Sequence, residues 1–383
     1  MFVNRKMLKN LDSTFAICVA LVLVISLVVL SSASGSMAEI NKLSRWHFVE
    51  RQAIWIGLGL LCIYFMLFVD YTILPRYVKY LYGINIVLLL AVFVMGKVAK
   101  GAKLWVSIGG FQFQPAEFAK LLIIITFAEF LVKRQGKLNT WRELLPAFIH
   151  VGIPLLLVLA QPDLGTSLVF IAIMFGMLYI AGARPSLLLI LIFSGLLVVT
   201  LALVGHFKFG LPLPLDEYQK YRLIVFLNPY NDGHGGRGAG WNMIQSLVAI
   251  GSGGLFGKGL FKGTQGQLNF LPEHHTDFIF SVVGEELGFL GAAVLLVLYF
   301  LIIYRALRIA IESKDLFGTF IAVGVASMWG FHILENIGMA IGIMPITGIP
   351  LPFLSYGGSF MLTNLLAVGL LLNINIRRQK VIF

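Results

Sequence analysis

Long apolar runs, repeated along the whole chain, constrain this sequence more than any other feature. Each run approaches the roughly 20 residues that an α-helix needs to cross the apolar core of a bilayer. Hydrophobic residues make up 58% of the chain and charged residues only 12%. The sequence therefore predicts an all-α integral membrane protein, a polytopic bundle of about ten transmembrane helices forming a single domain, 1–383. The predicted spans are 14–33, 52–69, 80–96, 118–132, 144–161, 165–183, 186–204, 277–304, 316–341 and 358–376.

Basic residues favour one orientation of this bundle. The first run follows Arg5, Lys6 and Lys9, but it is about 20 residues long and no small-residue cleavage site follows it, so we expect a retained span. With a cytoplasmic N-terminus, the short inner segments hold 16 Lys and Arg and the short outer loops hold 6. The positive-inside rule then predicts that both termini are cytoplasmic. Because this distribution explains the net charge of +11, no nucleic-acid partner is predicted.

One long segment, residues 205–276, interrupts the alternation of spans and short loops. By the topology above it is an extracellular loop between the seventh and eighth spans, and a loop of this length in a compact protein is usually functional. Within it, "WNMIQSLVAI" has the spacing of a short interfacial helix. Its many glycines match neither the P-loop pattern nor the dinucleotide-binding pattern, which argues against a nucleotide site.

A second loop differs in kind from the first. The stretch "GIMPITGIPLPFLSYGGS", residues 342–359, contains three prolines and four glycines, and it carries no charge. Irregular backbone at membrane depth is tolerated where it is buried in protein or lines a cavity. We therefore expect an ordered, re-entrant structure packed against the bundle.

Ionisable residues inside the apolar runs are costly and generally face a polar interior and a partner. Glu117 and Lys120 stand at i and i+3 in "QPAEFAK", on one face of the helix that Pro115 begins. They form either a structural ion pair that locks two helices or part of a functional site. Asp163, Glu285, Glu286 and Glu335 belong to the same class of residues.

The stretch "LPEHHTDF", residues 271–278, places acids and imidazoles directly before the eighth run. Asp277 stands at the outer mouth of that span, where it is a candidate general base or simply a carboxylate at a helix N-terminus. Glu273, His274 and His275 are too close along the chain to converge easily with Asp277 on zinc. The sequence leaves open the alternative of a magnesium or manganese ion that is held by one carboxylate together with substrate phosphate.

Several motifs together resemble one known family. The stretches "GTQGQLNFLPEHHTDFIFSVVGEELG", "QPAEFAK", "QPDLGTSLV", "GWNMIQSLVAIGSGGLFGKGL" and "GIPLPFLSYGGS" are similar, in this order, to the SEDS proteins of bacterial shape, elongation, division and sporulation. The form "GTQGQLNFLPE" and the absence of long terminal extensions favour the elongation branch over the division branch. Asn269 departs from relatives that carry Glu, which weakens any role for a carboxylate at that position.

The resemblance implies a peptidoglycan glycosyltransferase of the bacterial cytoplasmic membrane that polymerises lipid II. Such an enzyme joins N-acetylmuramic acid C1 of an undecaprenyl-diphosphate donor to the 4-hydroxyl of N-acetylglucosamine on an acceptor. The family's essential aspartate falls on Asp277, and its ion pair falls on Glu117 and Lys120. The resemblance also implies a class B penicillin-binding protein as transpeptidase partner, within an elongation complex of membrane proteins.

The departing diphosphate needs positive charge, for which the external loop offers four cations. Arg222 is the first choice among Arg222, Arg237, Lys258 and Lys262. Glu273, Asp163 and Ser355 are further candidates for contacts with substrate. Two alternatives to a glycosyltransferase remain at this point. The chain could be a lipid II flippase, since interior charges and broken helices also suit transport, or a non-enzymatic scaffold for wall synthesis.

Overall fold

The computed structural model of the protein describes residues 10–35, 44, 46–99, 102–108, 111–212, 217–231, 235–238 and 240–378. In this part of the chain, α-helices dominate and one small sheet is present. The helices are α1 (Ser13–Ala33), α2 (His47–Phe68), a 3-10 helix (Tyr71–Tyr77), α3 (Val78–Met95), α4 (Pro115–Val132), α5 (Trp141–Leu159), α6 (Leu164–Ile180), α7 (Pro185–Phe209), α8 (Glu217–Leu227), α9 (Trp241–Gly253), α10 (Thr264–Gln267), α11 (Ile279–Ile311), α12 (Leu316–Ala340) and α13 (Gly358–Ile376). The strands are β1 (Gly96–Ala99), β2 (Ala102–Ile108) and β3 (Phe111–Phe113).

Eight helices in the described part of the chain are long and apolar enough to cross a membrane. The two other predicted spans correspond to α4 and α6, and each falls short for a local reason. Helix α4 carries Glu117, Lys120 and Glu129 within its 18 residues, and α6 is 17 residues long. The prediction of an all-α integral membrane protein is confirmed, whereas a total of ten spans stays a prediction.

The core of the bundle lies around α12 and α13. Helix α12 packs between α4, α6 and α11, and α13 packs mainly against α2. Trp329 of α12 is fully buried, stacks on Phe15 of α1 with ring centroids 6.2 Å apart, and donates a 2.7 Å hydrogen bond to Asn364 of α13. These contacts place α1 within the bundle. Helix α7, by contrast, lies at the outside of the bundle, because only 6% of its membrane-length apolar stretch is buried in the protein.

Helix α11 is broken at Gly288, whose backbone has φ 67° and ψ −164°. The break divides it into a half-helix, residues 279–287, and a longer helix, residues 289–311. A side chain at Gly288 would collide with the backbone of Leu255 and Gly257, so the loop after α9 crosses the chain at this glycine. The sequence pattern predicted one continuous span over 277–304, and this continuity is wrong.

The break changes the interpretation of Glu285 and Glu286. Both lie in the half-helix that ends at this break, on the same side of Gly288 as Asp277. Glu285 accepts hydrogen bonds from the backbone N–H groups of Thr264 and Gln265 and from Lys258, while Glu286 accepts one from Ser32 at the end of α1. These two carboxylates therefore organise the loop between α9 and α11.

The two notable loops are ordered in different ways. The long loop, residues 205–276, contains α8, α9 and α10, and the helix predicted from "WNMIQSLVAI" is confirmed as α9. The proline-rich segment, residues 341–357, is largely buried, with Leu351, Phe353 and Leu354 fully enclosed. This burial confirms the expected packing against the bundle, whereas a re-entrant position in the membrane stays a prediction. We use the term long-loop end for the end of the bundle where both segments lie.

A small antiparallel sheet, with strand order β1-β2-β3, connects α3 to α4. Its register is irregular between Lys97 and Val98, where β1 pairs with β2. This stretch lies in a predicted short outer loop, for which no strands were expected. Strands this short have no clear hydrophobic alternation of their own, so a pattern search cannot separate them from turns.

Candidate active site

A cavity of about 730 Å³ opens at the long-loop end of the bundle. Its walls come from α2, the small sheet, the start of α4, the segment before α11 and the proline-rich segment. Polar and charged side chains share the lining with aromatic rings and glycines, which is the composition expected of a substrate cavity. The lining residues are Arg51, Ile54, Trp55, Leu58, Trp105, Gln112, Gln114, Glu117, Glu273, His275, Thr276, Asp277, Gly348, Pro350, Tyr356, Gly357, Gly358 and Phe360.

Asp277 lies in the wall of this cavity, in the short segment that precedes the half-helix. The backbone N–H of Asp277 donates to the carbonyl oxygen of Glu273 over 3.1 Å. The next residue, Phe278, is 1% exposed and packs with Met339 and Ile346 in a small apolar cluster. The side chain of Asp277 is therefore carried by a backbone that is anchored in the protein on both sides.

Arg222 and Asp277 both lie beside Gly348. An added Cβ atom at Gly348 would lie 3.3 Å from Asp277 Oδ2 and 3.8 Å from Arg222 Nη2. Arg222 itself donates a 2.9 Å hydrogen bond to the carbonyl oxygen of Thr347. The carboxylate and the guanidinium thus lie beside one glycine of the cavity wall.

Replacing Gly348 with Ala should lower activity at the cavity. Gly348 has φ 78°, where a side chain costs about 1–2 kcal/mol, and the new methyl group would press on Asp277 Oδ2. Gly342→Ala is a matched control, since Gly342 has φ 77° but its Cβ would meet only Leu247 at 3.5 Å. We expect similar losses of thermal stability for both variants, and a turnover defect for Gly348→Ala alone. Equal turnover of the two variants would contradict this placement of Asp277.

Glu117 and Lys120 form a buried ion pair at the start of α4. Lys120 Nζ lies 3.0 Å from Glu117 Oε2, and the two side chains are 1% and 4% exposed. Lys120 Nζ also lies 3.0 Å from His332 Nε2, so this nitrogen accepts and Nδ1–H donates to the carbonyl oxygen of Pro350 over 3.1 Å. The pair is thereby connected through α12 to the proline-rich segment that borders Asp277.

The four residues predicted to bind the diphosphate lie in different surroundings in the structure. Arg222 alone stands beside a lining residue of the cavity. Lys258 lies 2.7 Å from Glu285 in the loop that Glu285 organises. Arg237 and Lys262 are exposed on the long loop, and the described lining of the cavity includes neither.

Two other predicted substrate ligands have hydrogen bonds within the protein. Asp163 caps α6, because its carboxylate accepts from the backbone N–H of Thr166 over 2.9 Å and from the hydroxyl of Thr166 over 2.8 Å. Ser355 is fully buried, and its hydroxyl donates to the carbonyl oxygen of Thr276 over 2.7 Å. Glu273, by contrast, is part of the cavity lining.

Sequence reasoning missed Arg51, Tyr356 and the two tryptophans of the cavity. Arg51 looked like one more basic residue near a helix end, yet its guanidinium lines the cavity and hydrogen-bonds Tyr356. Burial raises the pKa of the Tyr356 phenol, and the bond from Arg51 limits that rise. The available signal was the "YGG" that ends the proline-rich loop, since an aromatic residue beside two glycines allows close approach of another element.

The described residues contain no group of three His, Cys, Asp or Glu side chains that could hold a metal ion. Among the carboxylates of the cavity, Glu273 and Asp277 lie near one another along the chain and face the same space. This arrangement fits a hard cation only if the substrate supplies further oxygen ligands, as magnesium sites with phosphates commonly do.

Apolar helices of membrane-spanning length, together with a cavity lined by carboxylates and an arginine at one end, define a polytopic membrane protein with a candidate active site. The family model described as "Cell cycle protein", for FtsW, RodA and SpoVE, matches residues 12–380. The chain therefore belongs to the FtsW/RodA/SpoVE family, which is the SEDS family.

Curated relatives from three branches of the family match at nearly equal identity. The chain is 38% identical to stage V sporulation protein E of Bacillus subtilis, covering 95% of this chain and 96% of that protein. It is 38% identical to the probable peptidoglycan glycosyltransferase FtsW of Geobacter sp. strain M18, covering 92% and 93%. It is 37% identical to the peptidoglycan glycosyltransferase MrdB of Escherichia coli K12, covering 97% and 95%.

Solved structures share the same fold. One similar chain comes from work on the structural coordination of polymerization and crosslinking by a peptidoglycan synthase complex. It has a TM-score of 0.80 and 30% identity, and the match covers 97% of this chain and 99% of that chain. The crystal structure of the rod shape determining protein RodA of Thermus thermophilus has a TM-score of 0.69 and 30% identity, covering 97% and 98%.

Proposed function

We propose that this protein is an inverting peptidoglycan glycosyltransferase that polymerises lipid II into β-1,4-linked glycan strands during cell elongation. The observation that carries the proposal is the position of Asp277 in the wall of the cavity, with Arg222 beside the same glycine, Gly348. Relatives that match over almost the full chain are named peptidoglycan glycosyltransferases. The elongation role rests on the "GTQGQLNFLPE" form of the loop, because identity does not separate the branches.

The cavity is proposed to face the outside of the cytoplasmic membrane. The excess of Lys and Arg in the short inner segments supports cytoplasmic termini, and the cavity lies at the end of the bundle that carries the long loop. Nucleotide sugars do not reach that side. The donor must therefore arrive already activated and tethered to lipid, as a polyprenyl diphosphate is.

In the proposed reaction, the Asp277 carboxylate removes the proton from the acceptor 4-hydroxyl as its oxygen attacks C1 of the donor sugar. The bond from C1 to the diphosphate oxygen breaks, and the diphosphate leaves with the bonding electron pair. The attack comes from the face opposite the leaving group, so an α-linked donor gives a β-1,4 product. Inversion needs one base on the attacking side and no covalent intermediate, which suits a cavity in which Asp277 is the base.

The leaving diphosphate gains one further negative charge that must be balanced during the reaction. Arg51 lines the cavity and Arg222 stands beside Gly348, so both are proposed to contact the diphosphate. Glu273 would be the protein ligand of a magnesium or manganese ion, which would supply positive charge for the leaving group. Ile54 and Leu58 of α2, 59% and 42% exposed, supply an apolar wall for the polyprenyl chain.

Replacing either arginine with Ala is expected to lower kcat by about 10²-fold, the usual effect of removing one charge-stabilising donor. Arg308→Ala is the control, because Arg308 is exposed and pairs with Glu312 at the opposite end of the bundle. Initial rates over a range of lipid II concentrations test the prediction. If Arg51→Ala and Arg222→Ala both polymerise as fast as Arg308→Ala, the diphosphate lies elsewhere.

A class B penicillin-binding protein is the proposed partner, since a similar chain forms part of a complex that coordinates polymerisation and crosslinking. This chain would polymerise glycan and the partner would crosslink it. Other membrane proteins of the elongation complex are proposed to bind as well. Co-purification from membranes with tagged transpeptidase tests the pairing.

One assay separates the glycosyltransferase from the alternatives. The purified protein is incubated with labelled lipid II, alone and with its transpeptidase partner, with magnesium, manganese or EDTA, and products are resolved on a gel. We expect glycan strands that disappear in the Asp277→Asn variant. A flippase would instead move labelled lipid II across vesicles without polymerising it, and a scaffold would do neither. Absence of glycan under every partner and cation condition would reject the proposal.

A further inference from the structure

Three successive backbone carbonyl groups around Asp277 are each held by a donor from elsewhere in the fold. The oxygen of His275 accepts from the backbone N–H of Tyr356 over 3.1 Å. The oxygen of Thr276 accepts from the hydroxyl of Ser355 over 2.7 Å. The oxygen of Asp277 accepts from the side-chain amide of Asn336 over 2.7 Å. We name residues 275–277 with these three donors the aspartate clamp.

The opposite edge of the same segment is held as well. The backbone N–H groups of Thr276, Asp277 and Phe278 all donate to the carbonyl oxygen of Glu273, over 3.1–3.2 Å. A segment with its N–H groups capped on one side and its carbonyl groups bound on the other has little freedom to rotate. The direction in which Asp277 projects is consequently set by the donors of the clamp.

Asn336 and Ser355 each connect the aspartate segment to the proline-rich segment. The Asn336 amide donates a second hydrogen bond, of 2.8 Å, to the oxygen of Ile349. The Ser355 hydroxyl accepts a 2.8 Å bond from the backbone N–H of Leu351. Both side chains are fully buried, and the described lining of the cavity includes neither. They touch the protein backbone and not the space where a substrate would bind.

We propose that Ser355 and Asn336 are positioning residues for Asp277, and that the proline-rich segment is the rigid support from which they act. This inference rests on the proposed function and adds to it the device that aims the base. A general base must stand within hydrogen-bond reach of its proton, and misplacement by about 1 Å can cost about 10²-fold in rate. Without the clamp, Asp277 can turn away from the acceptor hydroxyl while the cavity itself stays intact.

The kinetic test compares Ser355→Ala and Asn336→Leu with Ser355→Thr, which keeps the hydroxyl. We expect kcat to fall about 10–100-fold in the first two, KM for lipid II to stay within about twofold, and Ser355→Thr to recover most of the loss. Ser246→Ala is the matched control, because Ser246 is equally buried and donates a 2.7 Å bond to the carbonyl oxygen of Ala340. It should lose thermal stability to a similar degree and keep its kcat.

A double variant distinguishes positioning from general destabilisation. Residues that act as a unit show strongly non-additive effects, so Ser355→Ala should cause no further loss of residual rate in the Asp277→Asn background. A kcat for Ser355→Ala that equals the wild-type value, a multiplicative loss in the double variant, or an equal loss in Ser246→Ala would each overturn the inference.

Hydrogen exchange tests the clamp without relying on activity. In Ser355→Ala and Asn336→Leu, the peptide that covers residues 273–278 should exchange its amide protons faster than in the wild type, whereas in Ser246→Ala it should not. If the wild-type protein makes no glycan, the proposed function fails while this measurement still decides the clamp. If glycan forms but exchange in this peptide is the same in the variants as in the wild type, the proposed function is kept and the inference about the clamp is rejected.

Discussion

Replacing Asp277 with Asn is expected to reduce lipid II polymerisation by about 10²–10⁴-fold, the range that a positioned general base contributes. The amide keeps the size of the side chain and its backbone contacts, but it cannot accept a proton from the acceptor hydroxyl. Binding should persist, because the arginines proposed to hold the diphosphate are unchanged. Initial rates of glycan formation with purified protein, and separate measurement of lipid II binding, check the two parts of this prediction.

Glu312→Gln is the control for that experiment. Glu312 is a partly exposed carboxylate that pairs with Arg308 and Arg378 at the opposite end of the bundle, so its replacement should leave polymerisation unchanged. Both variants should unfold at nearly the wild-type temperature. Polymerisation by well-folded Asp277→Asn at the wild-type rate would mean that another group is the base.

Removing Lys120 is expected to cause the largest loss of stability. Lys120 is 1% exposed and lies 3.0 Å from Glu117, which is also buried. Removing one partner of a buried pair leaves an uncompensated charge and typically costs about 3–5 kcal/mol. Lys120→Met should also release His332, which Lys120 contacts, and so weaken the link to Pro350 at the cavity.

The double variant Glu117→Gln/Lys120→Met tests the cause of that loss. It removes both charges, so it should recover most of the stability that Lys120→Met loses, since uncharged replacements of buried pairs are often nearly neutral. Thermal unfolding followed by tryptophan fluorescence in detergent measures all three proteins. A double variant as unstable as Lys120→Met would show that packing of the Lys120 chain matters more than charge. The control is the surface ion pair Glu129–Lys133, in which Lys133 is 69% exposed. Removing this pair should lower the free energy of unfolding by at most about 1 kcal/mol.

Much of the fold could be predicted from local properties of the sequence. Apolar run length is enough to identify spans, because the thickness of a bilayer sets the length of a helix. The i, i+3 spacing of Glu117 and Lys120 implies one helix face, and the structure has the two side chains in contact there. The continuity of the eighth span was predicted wrongly, because the break at Gly288 comes from the loop that crosses it, and glycine alone does not mark a break.

The candidate site was predictable only in part. Asp277 and Arg222 could be singled out as residue types in a suggestive segment, but their proximity depends on Gly348, far from both along the chain. Arg51 carried no local signal, because basic residues near helix ends are common in membrane proteins. Ser355 looked like a substrate ligand, whereas its hydroxyl is bonded to backbone groups.

The sequence by itself determined the membrane class and the charged residues that an apolar bundle must accommodate, because both depend on composition and on short-range spacing. Its motifs also carried the resemblance to one family. Only the tertiary structure decided which of those residues share a cavity. Arg222 meets Thr347 across 125 residues of chain, and Ser355 meets Thr276 across 79. Contacts at such separations arise when whole helices pack, and that packing is a property of the folded chain that no local pattern contains.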